Sequence, residues 1–492
     1  MIRRTFIKTL IAGAGASMID SSLLVTDAAA KAASPATRSN PRKVVIGGAG
    51  ISGLCCGYEL LKAGFDVTIL EAAARYSGHV YTGRDGLSDG LYADFGADHI
   101  TKPGYERLLA YAEEFNIPVI PYPNAEGSWL PYNDDDLRMI DGKFYTNKML
   151  ADPGTLTGMG FNSREVQFLS KRPWYELQGL YLEHYVDKIK DPNQPFGIGL
   201  DDLDNISITE IYKKEGASQA AIRYLGEEHT SALYSIWRLA AMKSRGIPPS
   251  EGEIFRLKGG NEQLTIAFAR RLGSRVKLAH PITAIQQSND KVTVSYREYG
   301  HEEGKTLEAD FFVNCITLTV SRNIPITPPL SPAKQYVVDN LTYTSHPFYV
   351  FEASSKFWLE DGLKSINMEF DHPDISSIWE VPSEMETTRV ILKAYGPGGL
   401  SPQHVLAAFR KVYPGKRDTI VQALTRDWTQ DKLAPSCEME PFPIGEMHKF
   451  WPEILKPEGR IYFAGTYADL LSRGMESCIR SAQRVAREIR EA

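Results

Sequence analysis

The chain has 492 residues, 43% hydrophobic and 24% charged, a globular composition long enough for two or more packed domains. Its formal charge of −6 provides no basic stripe for nucleic acid and points to a small-molecule partner. The five cysteines (Cys55, Cys56, Cys315, Cys437 and Cys478) lack Cys-x-x-Cys spacing, and no run approaches the roughly 18 uninterrupted apolar residues of a membrane span, which argues against a metal pair, a disulfide framework and a stable membrane span.

Residues 1–33 read as an export signal rather than part of the fold. Arg3-Arg4-Thr5-Phe6-Ile7-Lys8 precedes a mildly apolar run from Thr9 to Val25 and a small-residue stretch from Ala28 to Ala33. The paired arginines followed by x-Phe-Ile-Lys resemble the twin-arginine signal, which carries folded proteins across the bacterial inner membrane; an ordinary secretory signal is the alternative. The expectation is an exported protein, periplasmic or extracellular.

Val44-Val45-Ile46 reads as a buried strand feeding Gly47-Gly48-Ala49-Gly50-Ile51-Ser52-Gly53. A helix follows, with Leu54, Tyr58 and Leu61 on its apolar face and a left-handed end at Gly64, and then a second strand, Val67 to Leu70, ending at Glu71. This is the G-x-G-x-x-G dinucleotide pattern. Gly48 permits the tight turn, Gly50 the approach of a pyrophosphate, and Gly53 close packing of helix on strand, while the first turn at Ile51 and Ser52 faces the anion. Glu71, 18 residues past Gly53, stands where a carboxylate binds a ribose hydroxyl.

Beyond Glu71 the chain runs Ala72-Ala73-Ala74-Arg75-Tyr76-Ser77-Gly78-His79 and later Ala93-Asp94-Phe95-Gly96-Ala97. With Phe255 to Leu264, Ile282-Thr283-Ala284-Ile285 and Ile461 to Thr466, these segments resemble the flavin-containing amine oxidase superfamily, which includes monoamine and L-amino-acid oxidases. The resemblance implies an α/β fold in which a Rossmann-like FAD-binding domain (41–100, 250–330 and 425–492) is discontinuous around an α+β substrate domain (101–249 and 331–424). It implies FAD as cofactor, held by Gly48, Gly50, Ile51, Ser52, Gly53, Glu71, Ala72, Arg75, Gly78, His79, Ile282, Gly465, Thr466 and the backbone of Gly474, Met475 and Glu476 at the start of a final helix. That helix, Met475 to Glu491, would bury Met475, Ile479, Ala482, Val485 and Ile489 and expose Arg480, Arg484 and Arg487. Elsewhere the pattern predicts a capping box at Ser207-Ile208-Thr209-Glu210, a helix from Pro173 to Lys190 with Leu177, Leu180 and Tyr181 inward, and a strand from Pro347 to Glu352.

The segment Trp428 to Cys437, followed by Phe442-Pro443-Ile444-Gly445, aligns without a gap with the region of monoamine oxidases whose cysteine bonds to the flavin. Cys437 is therefore either a covalent FAD attachment or a small loop cysteine. The chain departs from the family where two aromatic rings usually face the flavin: those slots hold Glu438 and Gly474. His346 stands in place of the usual lysine, His79 in place of an arginine, and His99 where L-amino-acid oxidases place a carboxylate-binding arginine; Arg84, Arg238 and Arg473 are alternative clamps. Glu438 could pair with a cationic substrate or act as a base, and His346 could transfer protons; both also have bland readings, as a solvated acid and a core histidine.

The expected activity is FAD-dependent oxidation of the C–N bond of an amine or amino acid: hydride to the flavin, hydrolysis of the imine, and hydrogen peroxide from O2, with an oligomer possible. The alternatives are a desaturase or double-bond isomerase on a non-amine substrate and a flavin-binding protein without turnover.

Overall fold

Val44, Val45 and Ile46 are almost fully buried because their strand is paired on both sides and covered on both faces. In this computed structural model, which describes residues 41–122, 133–247, 253–301, 303–344, 347–435, 438–470 and 474–492, the strand Lys43–Gly47 runs parallel to Asp66–Leu70 on one side and to Phe311–Asn314 on the other. Val276–Lys277 and Ile461–Phe463 complete a five-stranded parallel sheet in the order 276–277, 66–70, 43–47, 311–314, 461–463. The expectations for residues 1–33, His346, Cys437 and Arg473 fall outside the described residues.

The helix after the glycine turn spans Ile51–Lys62 and ends at Gly64, whose φ of 85° is the left-handed end that its sequence predicts. Its buried face is wider than the Leu54, Tyr58, Leu61 stripe. Leu54, Cys55, Cys56 and Leu60 are wholly buried, whereas Tyr58 and Leu61 are only partly covered. The helix lies between the C-terminal helix, the helix Glu262–Leu272 and the sheet, so periodicity toward a single surface underestimates its contacts.

The C-terminal helix, Gly474–Glu491, buries Met475, Ile479, Ala482, Val485 and Ile489 as expected. Of the three arginines expected in solvent only Arg487 is exposed. Arg480 pairs with Asp469 at 2.9 Å, and Arg484 donates to the carbonyls of Phe463 and Leu455, tying the helix to the end of the last parallel strand.

A mixed seven-stranded sheet forms the other half, in the order 420–425, 348–353, 390–395, 377–381, 368–369, 137–140, 143–146. Its strand Phe348–Ala353 is buried throughout and begins one residue later than predicted. The capping box is present: Ser207 accepts from the N–H of Glu210 at 3.1 Å, and Glu210 accepts from the N–H of Ser207 at 2.7 Å. The predicted helix 173–190 is shorter, a single turn at Trp174–Glu176 continuing into Leu177–Val186. Lys188 and Ile189 donate to the carbonyls three residues back, which tightens the chain out of α-helical register. Leu177 and Tyr181 are buried there and Leu180 half-buried. No helix of the described residues is long and apolar enough to cross a membrane.

Candidate active site

One cavity of about 1010 Å³ runs from the glycine turn to the edge of the mixed sheet. At its first end the wall is largely main chain. Gly48 has φ 94°, and a Cβ there would press on the carbonyl of Cys315 at 3.1 Å. A side chain at Gly53 would collide with the carbonyl of Gly48, so the helix and the turn touch backbone to backbone. Gly50 is different: a Cβ there would meet nothing within 4 Å, because this residue faces the cavity. Gly50 caps the helix with no side-chain bond, and the first-turn residues Ile51 and Ser52 line the cavity, so the helix N-terminus presents its N–H groups and positive dipole end to any anion bound there.

Glu71 ends the second strand with its carboxylate accepting from the N–H of Ala49 at 2.7 Å and of Ala73 at 2.8 Å. Burial raises its pKa, and those two N–H bonds oppose the rise. A carboxylate has about four lone-pair positions, so acceptor capacity remains for a ribose hydroxyl after these two bonds. An anion cradle, a buried strand-end acid and an elongated cavity between them fit the adenosine and pyrophosphate parts of FAD.

Ala72, Arg75, Gly78, His79 and Ile282 line the same cavity. Arg75 donates to the carbonyls of Gly78 at 2.7 Å and Tyr76 at 3.2 Å, bracing the loop instead of projecting freely. His79 lies with its ring 4.1 Å from that of Trp428, whose indole N–H donates to the carbonyl of Phe95. Burial, with Arg426 and Arg75 nearby, pushes the His79 pKa down to about 3, so the ring is neutral and contributes packing in place of the family arginine's charge. Gly465 and Thr466, after the last parallel strand, and Gly474 and Met475, at the start of the C-terminal helix, also line the cavity.

Glu476 does not point there. Its carboxylate accepts from the N–H of Leu108 at 3.0 Å and of Arg107 at 3.4 Å, capping the helix Glu106–Glu114. A Cβ on Gly474 would collide with the hydroxyl of Tyr105, another lining residue, so the tip of a ring from a different element stands where a side chain at 474 would begin.

The far end is made of side chains. Glu438 reaches it from a short antiparallel ladder in which Thr344 faces Glu438 and Tyr343 faces Met439. Among the described residues, no hydrogen bond or ion pair engages the Glu438 carboxylate. Phe348, Tyr395, His372 and Ser376 come from or beside the mixed sheet, and Asp98 and His99 from the loop after Gly96. Arg84, one of the alternative clamps, donates to the carbonyl of Gly259 at 2.5 Å and is exposed outside this lining.

Behind Asp98 and His99 sits a buried charge cluster with no counterpart in the expectations. Lys393 is 0% exposed, with its ammonium 3.0 Å from Asp98, donating to the carbonyl of Asp94 at 2.6 Å and lying 3.4 Å from the centre of the Phe348 ring. Arg256 pairs with Asp94 at 3.4 Å and donates to the carbonyl of Pro382. Burial pushes Asp98 upward, but Lys393 and His99 outweigh it and hold the carboxyl below its ordinary value. The signal in the sequence is a lysine inside an apolar strand, Val390-Ile391-Leu392-Lys393-Ala394, which calls for a buried partner.

The chain matches the model of the flavin-containing amine oxidoreductase family over residues 51–490. It is 28% identical over 475 residues to the L-amino-acid oxidase of Vipera ammodytes ammodytes, covering 92% of this chain and 94% of that protein. It is also 28% identical to the L-amino-acid oxidase BmooLAAO-I of Bothrops moojeni, covering 93% and 91%. Its fold superposes on cyclohexylamine oxidase from Brevibacterium oxydans IH-35A with a TM-score of 0.73 at 20% identity, covering 92% of this chain and 99% of that one.

Proposed function

The chain belongs to the flavin-containing amine oxidoreductase family, as an FAD-dependent enzyme, and from that premise we propose that it oxidises the C–N bond of a cationic amine. The observation that carries the choice of an amine is the charge at the far end of the cavity. There the acids are Glu438 and Asp98; Asp431 lies among Arg75, Arg426 and His79, and among the described lining residues Arg75 is the only lysine or arginine. Asp431 is paired with Arg426 at 2.9 Å and Asp98 with Lys393, which leaves Glu438 to meet an ammonium group.

Bound FAD supplies a two-electron acceptor for the C–H bond beside the nitrogen and passes the electrons to O2. The protein's residues do the rest. The turn Gly48–Ser52 holds the pyrophosphate, Glu71 the ribose, and the start of the C-terminal helix at Gly474 and Met475 turns its positive end to the ring system. Glu438 holds the substrate nitrogen, while the rings of Phe348 and Tyr395 bound its carbon skeleton and exclude water. An amino acid is the second reading, favoured by the names of the sequence relatives.

The test is peroxide release and oxygen uptake with primary amines set against L-amino acids. Turnover of amines, with a raised KM in Glu438→Gln, supports the proposal; turnover confined to amino acids transfers it to the second reading. Two further features belong to the same reading. Export by the twin-arginine route is supported by Arg3-Arg4-Thr5-Phe6-Ile7-Lys8, and retention of the precursor when both arginines become lysine tests it. A thioether at Cys437 is supported by its alignment alone, and flavin released entirely by acid precipitation rejects it.

A further inference from the structure

An ammonium substrate cannot give up hydride from the adjacent carbon until its nitrogen has lost a proton, because the nitrogen lone pair must be free to form the imine. The proposed amine reading therefore requires a base at the far end of the cavity, and this inference rests on that reading. His99 lines that end, with a side chain almost wholly enclosed. Its Nε2 is turned inward to Asp98 at 3.2 Å, which leaves Nδ1 as the ring nitrogen for the cavity. Asp98 is in turn fixed by Lys393 at 3.0 Å and by the hydroxyl of Tyr122, which donates to its other oxygen at 3.2 Å. The ring is held edge-on to Tyr122 and beside Trp379, so its plane is set by packing.

We propose that His99, backed by the buried Asp98 carboxylate, is the general base that takes the proton from the substrate ammonium. The substrate N–H bond breaks and its electron pair stays on nitrogen; an N–H bond forms on Nδ1 of His99. The imidazolium then lies beside Asp98, and its proton passes to water when product leaves.

The resting charges suit this role. Burial lowers the His99 pKa, Asp98 opposes the shift and Lys393 adds to it, so the ring is neutral and ready to accept at neutral pH. The groups facing it are Asp98 on its own loop, Lys393 from the mixed sheet, Tyr122 just after the strand Val119–Pro121, Asp94 and Arg256 behind them, and Glu438 across the cavity. Lys393 compensates Asp98 at rest. The cluster of Asp94, Asp98, Lys393 and Arg256 is neutral overall, and the nearest carboxylate oxygen lies 3.2 Å from the His99 ring.

The experiment is the pH profile of kcat/KM for a primary amine in the FAD-loaded wild type and in His99→Gln. It is joined to titration of the flavin spectrum with tert-butylamine, which has no C–H bond beside nitrogen and so binds without reacting. Expected is a loss in His99→Gln of about 10²–10³-fold at pH 7 that closes by about tenfold per pH unit as the substrate arrives already deprotonated. The apparent Kd for tert-butylamine, bound as the ammonium by Glu438, should be flat from pH 7 to 9 in both proteins, so that the pH-dependent deficit reports deprotonation and not binding; all pH values are chosen below the roughly 10 at which an alkylammonium titrates. A deficit that stays constant across pH overturns the base. If His99→Gln loses flavin, Asp98→Asn combined with Lys393→Met carries the same test, because it removes the countercharge without stranding an ammonium. A wild type that no amine reduces overturns the parent reading and this one together; amine oxidation with a parallel profile overturns only this one.

Discussion

At one end of the cavity the wall is main chain: the turn from Gly47 to Gly53, the start of its helix, and Glu71 bonded to two N–H groups. At the other end it is side chains gathered from residues as far apart as Asp98, Phe348, Tyr395 and Glu438, with Lys393 and Arg256 buried behind them. The first end tolerates little change because its function lies in φ angles and backbone approach. The second is built from pairs, so its partners are exchangeable when both members of a pair change together. Cofactor recognition is thus fixed locally and substrate recognition by tertiary assembly.

The sharpest break of this comparison is Gly53→Val. Its side chain meets the carbonyl of Gly48, and the expected outcome is loss of bound flavin in the purified protein, read as the ratio of visible to ultraviolet absorbance. Next comes Lys393→Met, which leaves the Asp98 carboxylate and the Asp94 carbonyl buried without their cation. Denaturant unfolding should show a loss of about 3–5 kcal/mol, and adding Asp98→Asn should recover most of it. Failure of that recovery would mean that the pair is not an exchangeable unit.

His79 gives a pH test at the boundary of the two ends. Its folded-state pKa of about 3 lies below the usual 6.5, so the unfolded chain binds the extra proton. Its contribution to stability is therefore complete above pH ~6.5 and is lost as pH falls toward 3, with a slope near 1.4 kcal/mol per unit at full effect, or about 2 kcal/mol between pH 6.5 and 5. Unfolding of His79→Phe across that interval should be flatter than wild type by this amount. The smallest expected effect is Arg487→Ala on the exposed face of the C-terminal helix, within about 0.5 kcal/mol, against a clear loss for Arg484→Ala, whose guanidinium holds the carbonyls of Phe463 and Leu455.

The two ends also differ in how far the sequence shows them. The strand, glycines, helix and terminal acid from Lys43 to Glu71 are contiguous, and each residue's role follows from its position, so that part of the fold and site is legible directly. The C-terminal helix is equally plain from its apolar period, although Arg480 and Arg484, placed in solvent by that period, are drawn to Asp469 and to the end of the last strand. The pairing of Asp98 with Lys393 spans almost 300 residues, and no local pattern connects them. Lys393 announces only that some acid must be near. Tyr105 makes the same point: its hydroxyl stands where a side chain on Gly474 would begin, and no local pattern connects the two.

The most direct test of the central claim is anaerobic addition of a panel of primary amines and L-amino acids to the purified, FAD-loaded protein while the flavin's visible absorbance is followed. Rapid bleaching by amines, slowed in Glu438→Gln, and slower or no bleaching by amino acids are expected. Bleaching by amino acids alone, or a spectrum that no amine changes, would contradict it.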